Sequence, residues 1–250
     1  MMPYVGITGF MYPREVDDVI REIPCDAERL VMIGVLASSK TLRGIKNKWP
    51  NRYPETNKIA GIFSAHSRAL NLIHYNTKEP DTLLSQLCVM THFGGRNMHG
   101  FQLNLAWPSI AHLSVYRKMH PAKQIVLQIG GQAFEMVNHS PEQLAAKVAE
   151  YEGLVEYVLL DSSGGLGKIF DVDRASEYLV ALQARKLDLG LGVAGGLSPT
   201  TLNLVEPLVK DFPQLSIDAE GRLRTPPPGD RLDVDLAKGY LYKALSMFGC

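Results

Sequence analysis

Short apolar runs alternate with amphipathic, helix-like stretches along the whole chain, and this alternation constrains the fold most strongly. Eight runs have the length of a buried strand: residues 4–8, 30–37, 59–64, 100–105, 124–129, 155–160, 189–194 and 215–218. Stretches with helical spacing of apolar residues lie between them, at 13–23, 81–91, 106–119, 141–152, 172–184, 199–208 and 233–247. Eight strands, each followed by a helix or a helix-like link, predict an α/β protein built as a closed parallel (β/α)8 TIM barrel.

The alternative fold is a doubly wound open sheet. It requires fewer strands, or a G-x-G-x-x-G turn after the first strand, and Gly6-Ile7-Thr8-Gly9 does not supply that turn. We therefore expect one TIM-barrel domain over residues 1–250, a length that is typical of such barrels.

Charge excludes some classes of binding partner, and cysteine content excludes some kinds of site. The chain carries 26 basic and 26 acidic side chains, so no overall field favours nucleic acid or an acidic membrane. No apolar run approaches the roughly 18 residues of a membrane helix, and we find no secretory signal. Cys25, Cys88 and Cys250 are too scattered for a disulfide framework or a zinc site. We expect a cytoplasmic protein with neither a nucleic-acid nor a membrane partner; the oligomeric state is left open.

Residues 155–171 combine a strand-like run, a carboxylate and a glycine-rich loop. The run is followed by Asp161, and then by Gly164, Gly165 and Gly167, which can adopt backbone angles closed to other residues. An acid at a strand end, beside a loop whose amides can bind an anion, is typical of a proton donor in an α/β enzyme. The alternative is an ordinary strand–helix connection in which Asp161 caps a helix.

Other candidates follow from the rule that reactive groups of a parallel barrel lie where its strands end. It selects Thr8, the 38–43 loop, His66, Asn104, residues 130–132, Gly195, Gly196, and Asp218 to Gly221. The two glycines precede Ser198-Pro199, which predicts a helix start with outward-pointing amides. With Asp218 and Gly221 nearby, this predicts a phosphate site; the alternative is that the glycines only allow tight packing. The histidine spacing does not indicate a metal site.

Three consecutive strand ends of the later half share their order and spacing with a known family. The residues are Leu159-Leu160-Asp161, Gly164-Gly165-Leu166-Gly167-Lys168-Ile169-Phe170-Asp171, Ala194-Gly195-Gly196-Leu197-Ser198-Pro199 and Ile217-Asp218. They resemble phosphoribosylanthranilate isomerase of tryptophan biosynthesis. The earlier half is similar only in outline, through Ala37-Ser38-Ser39 with Arg43 and through Gly100-Phe101-Gln102-Leu103.

The resemblance implies a barrel of the ribulose-phosphate-binding type and an Amadori rearrangement, in which an aminated ribose phosphate ring opens and becomes an aminoketose. It implies no metal or organic cofactor. Asp161 is implied to be the general acid that protonates the ring oxygen, and Arg43 to face the aromatic acid of the substrate. The implied phosphate amides are those of Gly165, Gly167, Gly195 and Gly196. The remaining substrate-binding candidates are Asn104, Gly164, Asp218 and Gly221.

Three positions depart from the family pattern. Thr8, or Val5 in a second register, stands where the family has a cysteine as general base, and a threonine hydroxyl cannot act as a base near neutral pH without a helper. Asn104 replaces a histidine. Glu220 lies in the last loop, where a carboxylate is unfavourable beside a phosphate unless it points away or pairs with Arg222 or Arg224.

These observations support an enzyme hypothesis and two alternatives. The first is an isomerase of a small phosphorylated aminosugar, with Asp161 as acid and Thr8 at the base position, in which Asp161 works with a substrate group or with another residue such as His66. The second is a degenerate barrel that binds a small phosphorylated or anionic ligand without turnover. The third is a related isomerase or lyase with a changed substrate, since one fold hosts many reactions.

Overall fold

Eight parallel strands close into a barrel in chain order, so that β1 pairs with both β2 and β8. The computed structural model describes residues 1–21, 23, 27–161 and 170–249. The strands are β1 Tyr4–Thr8, β2 Leu30–Ser38, β3 Ala69–Asn76, β4 Gly100–Leu103, β5 Gln124–Ile129, β6 Tyr157–Asp161, β7 Gly190–Ala194 and β8 Ser216–Ala219. The predicted TIM barrel is confirmed.

Helices surround the barrel and cover the apolar outer faces of its strands. They are α1 Pro13–Ile20, α2 Ser39–Leu42, α3 Thr56–Ile62, α4 Leu83–Gly94, α5 Ile110–Met119, α6 Gly131–Met136, α7 Pro141–Ala149, α8 Val172–Ala184, α9 Glu206–Val209 and α10 Val234–Met247. Val5 and Ile7 of β1 share one buried cluster with Val16 and Val19 of α1. Among the residues described, no helix is both long and apolar enough to cross a bilayer.

The predicted third strand is wrong. Residues 59–62 end helix α3, and the strand is instead Ala69–Asn76. Polar residues interrupt its apolar run, but they are accommodated: the Asn71 amide donates to the carbonyls of Ser64 and Asn97. His66 therefore precedes β3 and is exposed at the amino end of the barrel, so it cannot help a group at the carboxyl end.

The predicted helix over residues 199–208 is also wrong. The segment forms turns, a short 3-10 helix at Leu202–Leu204, and α9. The Ser198 hydroxyl accepts a hydrogen bond from the Thr200 amide, and the Thr201 hydroxyl donates to the Gly196 carbonyl at 2.8 Å. Such local bonds compete with helical ones. The row of helix amides expected after β7 is consequently missing from this described segment.

Inward-pointing side chains divide the barrel interior into an apolar floor and a polar mouth. The floor, near the amino ends of the strands, consists of Tyr4, Met32, Leu70, Leu72, Val126, Tyr157 and Leu159. The mouth, at the carboxyl ends, contains Thr8, His74, Gln102, Gln128, Asp161 and Asp218, each at most 7% exposed. Because buried polar groups are costly unless they are hydrogen-bonded, the mouth forms a connected network.

Candidate active site at the barrel mouth

Two buried carboxyl groups flank a small residue at the barrel mouth. Asp161 ends β6, Asp218 lies in β8, and Ala194 of β7 pairs in register with both. Residues in register on neighbouring parallel strands point to the same side, so the residue between the two carboxyls on the barrel wall carries only a methyl group. Two interstrand spacings separate their Cα atoms by about 9–10 Å. This arrangement leaves room for a reacting atom between the two side chains.

A chain of hydrogen bonds joins the two carboxyls through side-chain amides. Gln128 Nε2 donates to Asp161 Oδ2 at 2.9 Å. Gln102 Nε2 donates to Gln128 Oε1 and to Asp218 Oδ2, both at 3.0 Å. Sequence reasoning did not select either glutamine as a site residue, although each is an inward polar residue within an otherwise apolar strand, which is the signal that could have found it.

Thr8 completes this network from β1. Its hydroxyl donates to Asp218, with Oγ1 lying 3.1 Å from Oδ1 and 3.3 Å from Oδ2. Gly6, the register partner of Asp218, provides the space, because a Cβ there would lie 2.7 Å from Asp218 Oδ1. Val5 lies in the apolar cluster outside the barrel, so the second register fails to place a side chain in the mouth.

The environment of Asp218 raises its pKa from 3.8 to about 7. Burial is the largest cause, and the charges of Glu220 and Asp161 also raise the pKa, while hydrogen bonds from Gln102 and Thr8 oppose the shift. Asp218 therefore exchanges a proton close to neutral pH, which is the range in which a carboxyl is useful in acid–base catalysis.

His74 lies at the same level of the barrel, between two carboxamides. Its Nδ1 is 3.3 Å from Gln102 Nε2 and its Nε2 is 3.2 Å from Asn104 Nδ2. Burial lowers its pKa, although Glu220 and Asp161 act in the opposite direction, so the ring is neutral at pH 7. Asn104 lies at the mouth, where it contacts a histidine that sequence reasoning missed.

Glu220 is neutralised by a residue that the sequence did not indicate. The expected partners were Arg222 or Arg224, but Arg52, from the loop after β2, donates from Nη1 to Glu220 Oε1 at 2.9 Å. Asp230 holds the same guanidinium through Nε and Nη2, at 2.9 and 2.8 Å. Arg224 instead donates to Asp230 at 3.1 Å and to the Asn51 carbonyl at 2.8 Å, and so joins the loop after β8 to the loop after β2.

Gly195 and Gly196 both occupy the left-handed backbone region, with φ of +116° and +63°. The left-handed conformation costs other residues about 1–2 kcal/mol of conformational free energy, so the turn favours glycine. Gly221 begins a 3-10 turn, Gly221–Leu223, and lines the same small cavity. Gly164, Gly165 and Gly167 lie outside the described residues.

Two cavities meet at Asp161. The first, of about 60 Å³, is lined by Asp161, Ala194, Asp218, Gly195, Gly196 and Arg222, among others. The second, of about 540 Å³, lies over the ends of β3 to β6, and Asn104 and Lys78 contribute to it. Arg43 lines neither cavity: its side chain is 52% exposed and pairs with Glu79 at 2.8 Å.

Comparisons with known proteins show the fold and do not extend to the chemistry. No protein-family model matches the chain, and no curated protein matches it either. The chain is similar to the carboxyl transferase domain of Rhizobium etli pyruvate carboxylase, with 9% identity and a TM-score of 0.57. That match covers 99% of this chain but 47% of the other, so the chain spans about half the length of that protein.

Two further solved structures align over nearly their whole length. The YdjI aldolase of Escherichia coli K12 is 12% identical, with a TM-score of 0.53, and the match covers 99% of this chain and 92% of the aldolase. Tryptophan synthase from M. tuberculosis is 16% identical, with a TM-score of 0.50, and the match covers 95% of this chain and 93% of the synthase. At such identities the likeness establishes a TIM barrel and leaves the reaction to the site itself.

Proposed function

We propose that this protein is a phosphoribosylanthranilate isomerase-like enzyme that converts a phosphorylated aminoaldose into the corresponding aminoketose. The observation that carries the proposal is the pair of carboxyls, Asp161 and Asp218, which line one cavity beside the Gly195–Gly196 turn. An aldose–ketose isomerisation needs one group to give a proton and another to take one, and both must face the same sugar carbons.

The reaction proceeds by internal redox and needs no external oxidant. Asp161 donates a proton to the ring oxygen, the bond from that oxygen to C1 breaks, and the nitrogen lone pair forms a C1=N iminium. Loss of the C2 proton gives an enolamine. The enolamine then gains a proton at C1 and loses the proton of its 2-hydroxyl, which leaves a ketone at C2. C1 is thereby reduced and C2 oxidised.

The phosphate of the substrate is assigned to the loops after β7 and β8. Gly195 and Gly196 bring bare backbone to this cavity, and Arg222 lines it with positive charge. Glu220 and Arg52 also line it, but their ion pair offsets the charge of each. The wider cavity beyond Asp161 then receives the part of the substrate attached to nitrogen.

A binding protein without turnover is the second candidate, and one contact favours it. Thr8 stands where the family has its cysteine base, yet its hydroxyl donates to Asp218, so Thr8 itself does not take a proton. If no other group does, the barrel retains a ligand site and has lost catalysis.

Turnover of phosphoribosylanthranilate, followed as loss of its fluorescence, tests the proposal. We expect activity in the unmodified protein and a loss of about 10²- to 10⁴-fold in Asp161→Asn. Asp17→Asn, the same change at an exposed position of α1, should keep full activity. Absence of turnover in folded protein at high concentration rejects the isomerase. Saturable phosphate binding under those conditions would then support the binding protein.

A further inference from the structure

We infer that Asp218 is the general base of this isomerisation and removes the proton from C2, with Thr8 as its positioning residue. The inference rests on the proposed function and deepens it, because the base position of the related family carries no competent group in this chain.

The position of Asp218 suits this role. It lines the same cavity as Asp161, and the methyl side chain of Ala194 lies between them, so a sugar carbon can meet one carboxyl on each side. Asp218 also lies beside β1, with Oδ1 3.1 Å from the Thr8 hydroxyl. A base on β8 thus reaches the space that a base at residue 8 would occupy, and Gly6 keeps that space open.

The contacts of Asp218 hold its carboxylate in one orientation. Thr8 and Gln102 both donate to it, and donors stabilise the ionised form that can accept a proton. Burial is the largest effect that opposes ionisation, and the charge of Glu220 beyond β8 adds to it, as does that of Asp161 from β6 once Asp161 has given up its proton. The hydroxyls of Tyr4 and Tyr240 lie within electrostatic range. The pKa of about 7 that results leaves a large carboxylate fraction at neutral pH.

His74 is the competing base, and its contacts argue against it. Asn104 Nδ2 lies 3.2 Å from the ring Nε2 and donates to it, so the lone pair of that nitrogen is already used, and burial disfavours the protonated ring. Among the described residues Asp218 Oδ1 accepts a side-chain hydrogen bond from Thr8, and a carboxylate oxygen has a second lone pair that can accept a proton.

The proposed step balances in protons and electrons. Asp218 takes the C2 proton, the C2–H electron pair forms the C1=C2 bond, and the iminium π pair returns to nitrogen. Asp161 has already given its proton to the ring oxygen. Exchange with solvent then removes the proton from Asp218 and restores the one on Asp161.

The experiment compares Asp218→Asn, His74→Gln and Thr8→Val in turnover of phosphoribosylanthranilate, unlabelled and deuterated at C2. We expect kcat of Asp218→Asn to fall about 10²- to 10⁴-fold with little change in KM, and the isotope effect to increase. His74→Gln should retain more activity. Thr8→Val should move the acid limb of the pH profile upward, because it removes a hydrogen bond that lowers the Asp218 pKa.

Each outcome decides a different point. Turnover in the unmodified protein with Asp218→Asn within threefold of it overturns the assignment of the base and leaves the isomerase intact. No turnover in the unmodified protein overturns both. Should Asp218→Asn fail to fold, the wild-type profile still decides: an acid limb near pH 7 that Thr8→Val shifts supports Asp218, and a limb that Thr8→Val leaves in place contradicts it.

Discussion

Asp218→Asn should change how the stability of this protein depends on pH. The folded protein holds the Asp218 pKa at about 7 against an ordinary value of 3.8. Each tenfold change in proton affinity corresponds to about 1.4 kcal/mol, so ionising Asp218 costs the folded state on the order of 4 kcal/mol. Because the folded pKa is the higher one, the folded state binds more protons between pH 4 and 7. The Asp218 contribution is therefore complete below pH 4, roughly half lost near pH 5.5, and fully lost above pH 7.

Urea unfolding at pH values from 4 to 8.5 measures this effect. Asparagine has nearly the same shape but does not ionise, so the free energy of unfolding of Asp218→Asn should gain about 4 kcal/mol relative to the unmodified protein across that range. Using the difference between the two proteins cancels the histidines, which titrate in both. Asp17→Asn, the same change at an exposed position of α1, serves as the control for the loss of one carboxylate. Parallel curves for Asp218→Asn and the unmodified protein would refute the pKa reasoning.

Three further predictions concern the residues around this carboxyl. Gly6→Ala should destabilise the protein by about 1–3 kcal/mol, because the new Cβ would lie 2.7 Å from Asp218 Oδ1. The control Gly61→Ala has open space in α3 and should stabilise the protein by up to about 1 kcal/mol, so equal unfolding midpoints would contradict the prediction. Gly195→Ala should cost about 1–2 kcal/mol because its φ is +116°, and chemical denaturation that detects no loss would show that the turn adapts. Glu220→Gln removes a negative charge from the cavity, so calorimetry should show that it binds inorganic phosphate about 3- to 30-fold more tightly. Glu79→Gln, on the rim, should leave the affinity unchanged. Weaker binding in Glu220→Gln would exclude a phosphate site there.

Local patterns were sufficient to predict the barrel and most of its strands. The apolar runs before Asp161 and Ala194 predicted β6 and β7 because their inner and outer faces are both buried, so the run is nearly continuous. β3 was not predicted because the polar residues Asn71 and His74 interrupt its apolar run. Both are satisfied by partners distant in sequence, such as Asn97 and Gln102, and no local window reports these partners.

The candidate site was predicted in part, and its missing members share a cause. Asp161, Asp218 and Thr8 were found because each lies at or near the end of a recognisable strand. Gln102, Gln128 and His74 were missed because a polar residue within an apolar run reads as an interruption. Arg52 was missed because it lies in a basic loop, and the charge of that loop does not indicate a partner. Its partner, Glu220, lies 168 positions away in the sequence.

Periodicity and glycine-rich turns are local properties of a chain, so the alternation of strands and helices and most of the residues at the strand ends can be predicted without a structure. Which of those residues meet depends on how the barrel closes. Thr8 and Asp218 are 210 positions apart, and Gln102 and Asp218 are 116 apart. Closure of the barrel and the register of its strands bring these side chains within 3.1 Å of one another, and burial there shifts the proton affinity of Asp218 into the range of catalysis.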